Sequence, residues 1–238
     1  MISWFGGRKS GSETPRLKPR GSSTSTTKVD IAELTPEPLA ALGQAAYFEL
    51  GVFLTLAQAV SEAPSLLAKE DLSLVAGVAL AKHHALGAEI RRKGGEPADA
   101  MAVFAERLDE YRRITRGADW YELLVSCYLT TGLLEDFFTS LSAGLPGDLG
   151  TRVERILKTD DATDVLVREI TAGIAADPKL GSRLAMWGRR LVGDTLLIAR
   201  SAMHVSGDFS QDESLIEPVF TEMISAHTRR MDAIGLTA

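Results

Sequence analysis

Long helical segments separated by short breaks restrict the fold of this chain more than any other feature of its sequence. From Thr35 onward, apolar residues recur every three or four positions, which is the spacing of one face of an α-helix. Pro64, the pair Gly94-Gly95 and the stretch at 145–150 interrupt these runs. Helices of about 25 residues are roughly 37 Å long and bury their apolar faces by packing antiparallel. The pattern therefore predicts an all-α protein built on a helical bundle.

No β-sheet is expected, because the predicted helices cover most of the chain after residue 35. They cover residues 36–62, 66–93, 97–115, 119–142, 151–176, 178–205 and 214–234. Thr35 is expected to cap the first of them, with Pro36 in the first helical position. Val, Ile and Thr do not alternate with polar residues, and no Asn-Gly or Asp-Gly turn joins two strand-like runs. We expect a four-helix core with additional helices packed around it.

The first 29 residues differ in composition from the rest of the chain. They are rich in Ser, Thr, Gly and Pro, and they carry six Lys or Arg against the single acid Glu13. Such a segment cannot bury enough apolar surface to offset the entropy of ordering it. Residues 1–29 are therefore expected to be a disordered basic tail, and residues 30–238 one helical domain. The other 209 residues hold 20 basic and 31 acidic side chains, which argues against a broad phosphate-binding surface.

Cysteine content and hydropathy indicate the compartment. The single cysteine, Cys127, excludes an internal disulfide framework and is typical of a reducing compartment. No run of about 18 uninterrupted apolar residues indicates a membrane-spanning helix. The N-terminal residues also lack the basic-then-apolar order of a secretory signal. We expect a cytoplasmic protein without a membrane partner.

Few ionisable residues lie inside the apolar stretches, and these are the candidates for chemistry. Glu49 lies within AAYFELGVFL and His84 within LSLVAGVALAKHHALGAEI, while Asp136 follows Glu135 in GLLEDFF. A buried acid costs free energy unless it is paired or binds a cation. A di-iron or di-manganese centre in a bundle takes a Glu from each of two helices and a Glu-x-x-His motif from each of the other two. Glu49 could equally lie at an exposed edge of its helix, or pair with a nearby Lys or His.

Five segments give the chain a family resemblance. They are AYFELGVF, the HHALGAEI region, WYELLVSCYLTTGLLEDFF, RLAMWGRRLVGD and the closing HTRRMDAIGL. In these segments the chain resembles the ferritin-like proteins grouped with methylthio-isopentenyl-adenosine tRNA hydroxylase, the MiaE-like family, over about residues 39–238. The stretch from Arg183 to Gly193 is the most specific part of this resemblance. The resemblance implies a ferritin-like antiparallel four-helix core, a di-iron site and an oxygenase that acts on a modified tRNA base.

The resemblance also implies six metal-ligand positions, of which this chain keeps three. The matching residues are Glu49, His84 and Asp136. The positions that lack a ligand are Ala81, Thr159 and Ala162. Asp194 matches a further acidic position of the family, and it is expected in an outer shell together with Asp160. Two ions held by two carboxylates and one imidazole would lack both ligands and negative charge, so the di-iron site is expected to be degenerate.

Two functions follow as alternatives. The loss of ligands favours a non-catalytic protein, without a cofactor, that acts in binding or as a scaffold. The alternative is a metal-dependent oxygenase, similar to the tRNA hydroxylase, that uses iron held by Glu49, His84 and Asp136. tRNA is a partner by resemblance alone, and a homo-oligomer is left open. The sequence therefore predicts the fold in more detail than the function.

Overall fold

Helices account for almost all of the chain that the computed structural model describes, which is residues 31–159, 162–204 and 209–238. The α-helices within these ranges are α1 (Pro38–Glu62), α2 (Leu66–Arg92), α3 (Pro97–Ile114), α4 (Trp120–Leu141), α5 (Leu149–Leu157), α6 (Thr163–Ala176), α7 (Pro178–Ala202) and α8 (Phe209–Ala233). Short 3-10 helices at Ile31–Leu34 and Ser142–Gly144 precede α1 and follow α4. No strand occurs in these ranges, which confirms the all-α prediction. The predicted tail at 1–29 lies outside the described residues.

Most helices begin and end within a few residues of the predicted positions. At the start of α2, the Ser65 hydroxyl accepts a hydrogen bond of 3.1 Å from the backbone N–H of Ala68, which is the expected N-cap contact. The predicted cap at Thr35 is wrong. Its hydroxyl donates instead to the carbonyl of Leu141 (2.7 Å), and α1 begins later, at Pro38. Thr35 therefore connects the entry to α1 with the end of α4.

The helix predicted over 151–176 is two helices, α5 and α6. α5 ends at Leu157 and α6 begins at Thr163. Between them Ala162 has a φ of 50°, in the left-handed region that a right-handed helix cannot contain. The sequence TDDATD at 159–164 lacks the apolar side chains that would hold a continuous helix against the core. The prediction of a single helix is wrong for this reason.

α1 and α2 form an antiparallel hairpin, the most closely packed pair of helices in the described chain. Three residues, 63–65, separate the two helices. Part of the way along the pair, the ring Nδ1 of His83 lies 2.8 Å from the carbonyl oxygen of Ala46. By length and composition alone α1 is also able to cross a membrane, and half of that apolar stretch is buried in the bundle. α1 is thus a central helix of the core.

α4 lies antiparallel to α1 and therefore parallel to α2. Trp120 at the start of α4 donates its indole N–H to the carbonyl of Ala59 near the end of α1 (2.9 Å). Phe138 near the end of α4 packs on Phe48 in the first half of α1, with ring centroids 5.6 Å apart. Two parallel helices need a crossover connection, and α3 provides it while packing on α1.

α6 completes the four-helix core and runs antiparallel to α4. Thr163 at the start of α6 lines the same cavity as Glu135 in the second half of α4. Gly173 near the end of α6 lies against the ring of Tyr121 at the start of α4, where a Cβ atom would overlap the ring. α7 and α8 pack on α4 from outside this core. One crossover between the second and third core helices is the topology of ferritin-like folds.

Candidate functional site in the bundle interior

A small cavity lies where the four core helices meet. Its volume is about 30 Å³, enough for one or two water molecules. The charged residues that line it are Lys82 of α2 and Glu135 of α4, and its apolar wall includes Val52, Val78 and Leu166. The inward-facing side chains at such a level are those that would hold metal ions in a ferritin-like bundle. The cavity is therefore the place at which to test the predicted metal site.

Lys82 and Glu135 form an ion pair inside the bundle. The ammonium Nζ of Lys82 lies 2.6 Å from Oε1 of Glu135. The two residues are only 3% and 8% exposed, so solvent screens their charges weakly. Taking each charge out of water costs several kcal/mol, and the short contact between the two offsets part of this cost. Each partner therefore offsets part of the cost of burying the other.

Glu49 of α1 is completely buried at the same level of the core. It lies one helical turn before Val52, which lines the cavity. Its neighbour Phe48 packs on Phe138, and Phe138 lies one turn after Glu135 on the antiparallel α4. Glu49 and Glu135 are therefore at similar heights on facing helices. The Lys82–Glu135 ion pair and the Glu49 carboxyl group thus lie at a similar level of the apolar interior, which we call the charged layer.

Cys127 lines the cavity as well, and its thiol is expected to be unreactive. Burial raises the pKa of Cys127 to about 12, because the apolar surroundings disfavour the thiolate. The thiol thus stays protonated at neutral pH and is a poor nucleophile and metal ligand. This placement agrees with a small buried side chain rather than a reactive one.

His84 points away from this layer. Its side chain is exposed, as is Ala81, one turn earlier on α2. The His84 ring lies beside that of His83, with centroids 5.3 Å apart. Because successive helical residues are rotated by about 100°, the inward position on this part of α2 belongs to Lys82 instead. The prediction that His84 faces the interior is wrong.

Asp136 is exposed too, and the same rotation explains it. Its carboxylate forms an ion pair with Arg230 of α8 (2.6 Å), outside the four-helix core. The inward acid of α4 is its neighbour Glu135. The structure therefore does not bring Glu49, His84 and Asp136 together. No group of three or more His, Cys, Asp or Glu side chains that could hold a metal ion occurs in the described ranges.

Asp194, which was predicted for an outer shell, does not line the cavity. Asp194 lies half-buried on α7, close to Tyr111 of α3. Burial first, and the Asp194 charge to a smaller extent, raise the pKa of Tyr111, whose hydroxyl hydrogen-bonds to Thr195 at 2.9 Å. Asp160 lies outside the described residues. Thr159 is one of the positions expected to lack a metal ligand, and its side chain is exposed near the end of α5.

The charged layer itself does not fit a di-iron centre. Such a centre needs several free carboxylates and two imidazoles directed at one point. Here Glu135 is held by an ammonium group, and the imidazole expected from α2 faces solvent. An ammonium group donates hydrogen bonds and cannot ligate a metal. In the described interior the charge of Glu135 is thus balanced by the side chain of Lys82.

Sequence reasoning missed Lys82 and chose Asp136 over its neighbour Glu135, and for Lys82 a signal exists. At distances of three, four and seven residues, the apolar neighbours of Lys82 are Val75, Val78, Ala79, Ala85 and Leu86, whereas those of His84 are Gly77, Leu80, Ala81, Gly87 and Ala88. Large apolar neighbours three, four and seven positions away indicate the buried face of a helix. Applying this rule would have assigned the interior to Lys82. The charge of lysine argued the other way, because unpaired lysines are rarely buried.

Side chains of the segment RLAMWGRRLVGD, at 183–194, form hydrogen bonds from α7 to α4. Arg183 donates to Glu122 at 2.7 Å. Trp187 donates its indole N–H to the hydroxyl of Ser126 at 2.8 Å. Gly188 lets Met231 of α8 approach, since a Cβ atom there would overlap its sulfur. The segment therefore specifies helix packing, which agrees with its value for identifying a fold rather than an activity.

Comparison with known proteins supports this fold assignment. The described core spans the stretch, residues 38–216, that matches a family model described as "Ferritin-like domain, actinomycetes". No curated protein matches the chain. The match covers about three quarters of the sequence and includes α1 to α7 in full. The chain therefore belongs to this family of ferritin-like domains.

Proposed function

We propose that the protein is a non-catalytic ferritin-like domain that acts as a binding or scaffold protein. The observation that carries the proposal is the Lys82–Glu135 ion pair, 2.6 Å long, in the cavity between the four core helices. In this proposal the lysine charge takes the place of a metal ion in the bundle. Glu49 and Glu135 then stabilise a buried cation that belongs to the chain.

Electrostatics supports this interpretation. A cation that entered the cavity would lie within a few ångströms of the Lys82 ammonium group. Two unit charges 4 Å apart repel by about 4 kcal/mol at an effective dielectric constant of 20, and a divalent ion would double this. The ion would also have to displace Lys82 from Glu135 and so remove the ion pair that offsets the burial of both charges. Metal binding at this level is thus opposed by the side chain that already balances the charge.

The alternative, an iron-dependent oxygenase similar to the tRNA hydroxylase, has less support. It requires Glu49, His84 and Asp136 to reach one ion, whereas Glu49 is buried and the other two are exposed. Asp136 is in addition paired with Arg230. We therefore keep this activity as the second candidate, to be tested by the same experiment.

Metal analysis separates the two candidates. The protein is purified from cells grown with added iron and manganese, and its metal content is measured by mass spectrometry. We expect well below one ion per chain, in the unchanged protein and in the variant His84→Ala alike. About one ion per chain that disappears in His84→Ala would favour the oxygenase. Two ions per chain in the unchanged protein would overturn the proposal.

A further inference from the structure

The outer face of α2 carries an apolar stripe that no described element covers. It consists of Leu67, Glu70, Leu74, Gly77, Ala81, His84, Ala88 and Arg91, which we call the α2 stripe. Its members are spaced alternately by three and four residues, so they lie in one line along the helix. Leu67 and Leu74 are 66% and 62% exposed. No atom lies within 4 Å of the position where a Gly77 Cβ would be, so the surface there is open.

The middle of the stripe lacks charge, which is unusual for an exposed helix face. From Leu74 to Ala88 its members are apolar or carry a histidine. The charged side chains of α2 nearest to this part, Lys82 and Glu89, are turned inward and buried. The neighbouring face of α1 continues the pattern with Leu54, which is 42% exposed. A contiguous exposed surface of this kind marks an interaction site.

The two ends of the stripe carry opposite charges. Glu62 and Glu70 are exposed at one end, where Lys69 also lies. Arg91, Arg92 and Lys93 are exposed at the other end. A partner that presents the same surface in the reverse direction would place acidic residues against basic ones at both ends. That partner is a second copy of this chain, related by a two-fold axis.

We infer that the α2 stripe is the interface of a homodimer in which two α2 helices pack antiparallel across a two-fold axis near Ala81. This axis places Glu70 of each copy beside Arg91 of the other. It also places Leu74 opposite Ala88, and Gly77 opposite His84, so a large side chain meets a small one along the seam. Small residues near the axis allow the two helices to approach closely. The inference does not depend on whether the bundle interior binds a metal ion.

The available area is sufficient for a specific dimer. From Leu67 to Arg91 the stripe is about 36 Å long, at 1.5 Å per residue. With the flanking face of α1 it is about 20 Å wide, since each helix has a diameter of about 10 Å. Each copy would then bury about 700 Å², which brings the total within the range of specific interfaces.

The test measures the mass of the full-length protein in solution, by size-exclusion chromatography with light scattering and by sedimentation velocity. We expect a particle of twice the chain mass of 25.6 kDa at micromolar concentration. Ala81→Arg places two like charges at the axis and is expected to raise the dimer dissociation constant by about 100-fold or more. Val103→Arg on α3 is the matched control, because Val103 is 80% exposed and lies off the stripe.

Charge exchange tests the orientation of the two copies. Glu70→Arg and Arg91→Glu are each expected to weaken the dimer about 10-fold, because each creates two pairs of like charges. The double variant restores both opposite-charge pairs and is expected to return close to the original affinity. A parallel arrangement would leave both single variants close to the original affinity, because each residue then faces its own counterpart, and a different partner on this face would give a double variant no tighter than the single variants. Either result would overturn the inference.

A thiol at the axis identifies what covers the face. In the variant Ala81→Cys, mild oxidation is expected to link two chains through the introduced thiol, since the native Cys127 is buried. A monomer whose introduced thiol reacts freely with maleimide would overturn the inference, and the face would then be uncovered. A monomer whose introduced thiol is protected would also overturn it, because a segment of the same chain would be the occupant. Metal content is unaffected by these variants, so failure here is distinct from failure of the proposed function.

Discussion

On the inner face of α2, Lys82 carries a charge into the apolar bundle, whereas the outer face between Leu74 and Ala88 carries no formal charge into solvent. This is the reverse of the usual distribution on a surface helix, whose inner face is apolar and outer face charged. The inner charge is explained by Glu135, 2.6 Å away. We propose that a second copy of the chain accounts for the outer apolar surface. In that proposal, each face of α2 departs from the rule because of a partner.

Removing the inner charge is expected to have the largest effect. Lys82→Met leaves Glu135 buried without its cation and should lower the free energy of unfolding by about 3–5 kcal/mol. Urea denaturation followed by circular dichroism measures this change. The double variant Lys82→Met/Glu135→Leu should recover most of the loss, because neither charge is then buried. A loss below about 1 kcal/mol in the single variant would mean that the pair is not formed.

Introducing a Glu-x-x-His motif at inward positions of α2 should make the stability of the protein depend on added metal. Lys82→Glu with Ala85→His places a Glu-x-x-His motif one residue beyond the predicted position, with its acid facing Glu135. Zn²⁺ or Mn²⁺ at 100 times the dissociation constant should then stabilise the variant by about 2.7 kcal/mol. Thermal unfolding with and without metal measures the effect. An equal response in the unchanged protein would show that Lys82 does not exclude the ion.

An effect of intermediate size is expected from the buried thiol of Cys127, which lines the same cavity as Lys82. Because the folded pKa of Cys127, about 12, lies above its ordinary value of 9.0, the unfolded chain loses this proton first as pH rises. Stability should therefore fall above pH 9, by about 1 kcal/mol at pH 10 from this group. Denaturation curves at pH 8 and pH 10 test this. Cys127→Ala should show a smaller difference between the two pH values, whatever its absolute stability.

The outer face should tolerate change almost without cost to the fold. His84→Ala removes an exposed ring and is expected to alter the free energy of unfolding of the monomer by less than about 0.5 kcal/mol. Denaturation at a concentration below the dimer dissociation constant measures this. A loss of 2 kcal/mol or more would show that His84 has an interior role, and the contrast between the two faces of α2 would fail.

Helical periodicity was sufficient to predict an all-α bundle, and the family resemblance added its ferritin-like character. The bounds of α2, α3 and α4 follow from their apolar spacing and from Gly and Pro breaks, and the predicted values differ by one residue at most. The break between α5 and α6 was missed because helical spacing on both sides masks the short polar stretch TDDATD. Periodicity reports where a helix is, and it is less informative about where a helix is interrupted.

The candidate site was predicted less well, for a geometric reason. Glu49 was correctly identified as an acid that needs explanation, and it is fully buried. His84 lies two residues, and Asp136 one residue, from the inward positions, which are held by Lys82 and Glu135. A single residue turns a side chain by about 100°, so an error of one or two positions exchanges core for surface. Matching residues to a family pattern cannot detect such an error, because the rotation is set by packing.

The interruption between α5 and α6 limits how a metal cage could be built in this chain. By the family resemblance, Thr159 and Ala162 fall where a second acid–imidazole motif is expected, and such a motif needs one continuous helical turn. α5 ends at Leu157, and Ala162 adopts a left-handed backbone conformation, so the two positions do not share a helical face. Substituting ligands there would not complete a cage, since the main chain would have to refold first. Single mutations could thus alter the surfaces of this chain, whereas an acid–imidazole pair at these two positions would require a different backbone.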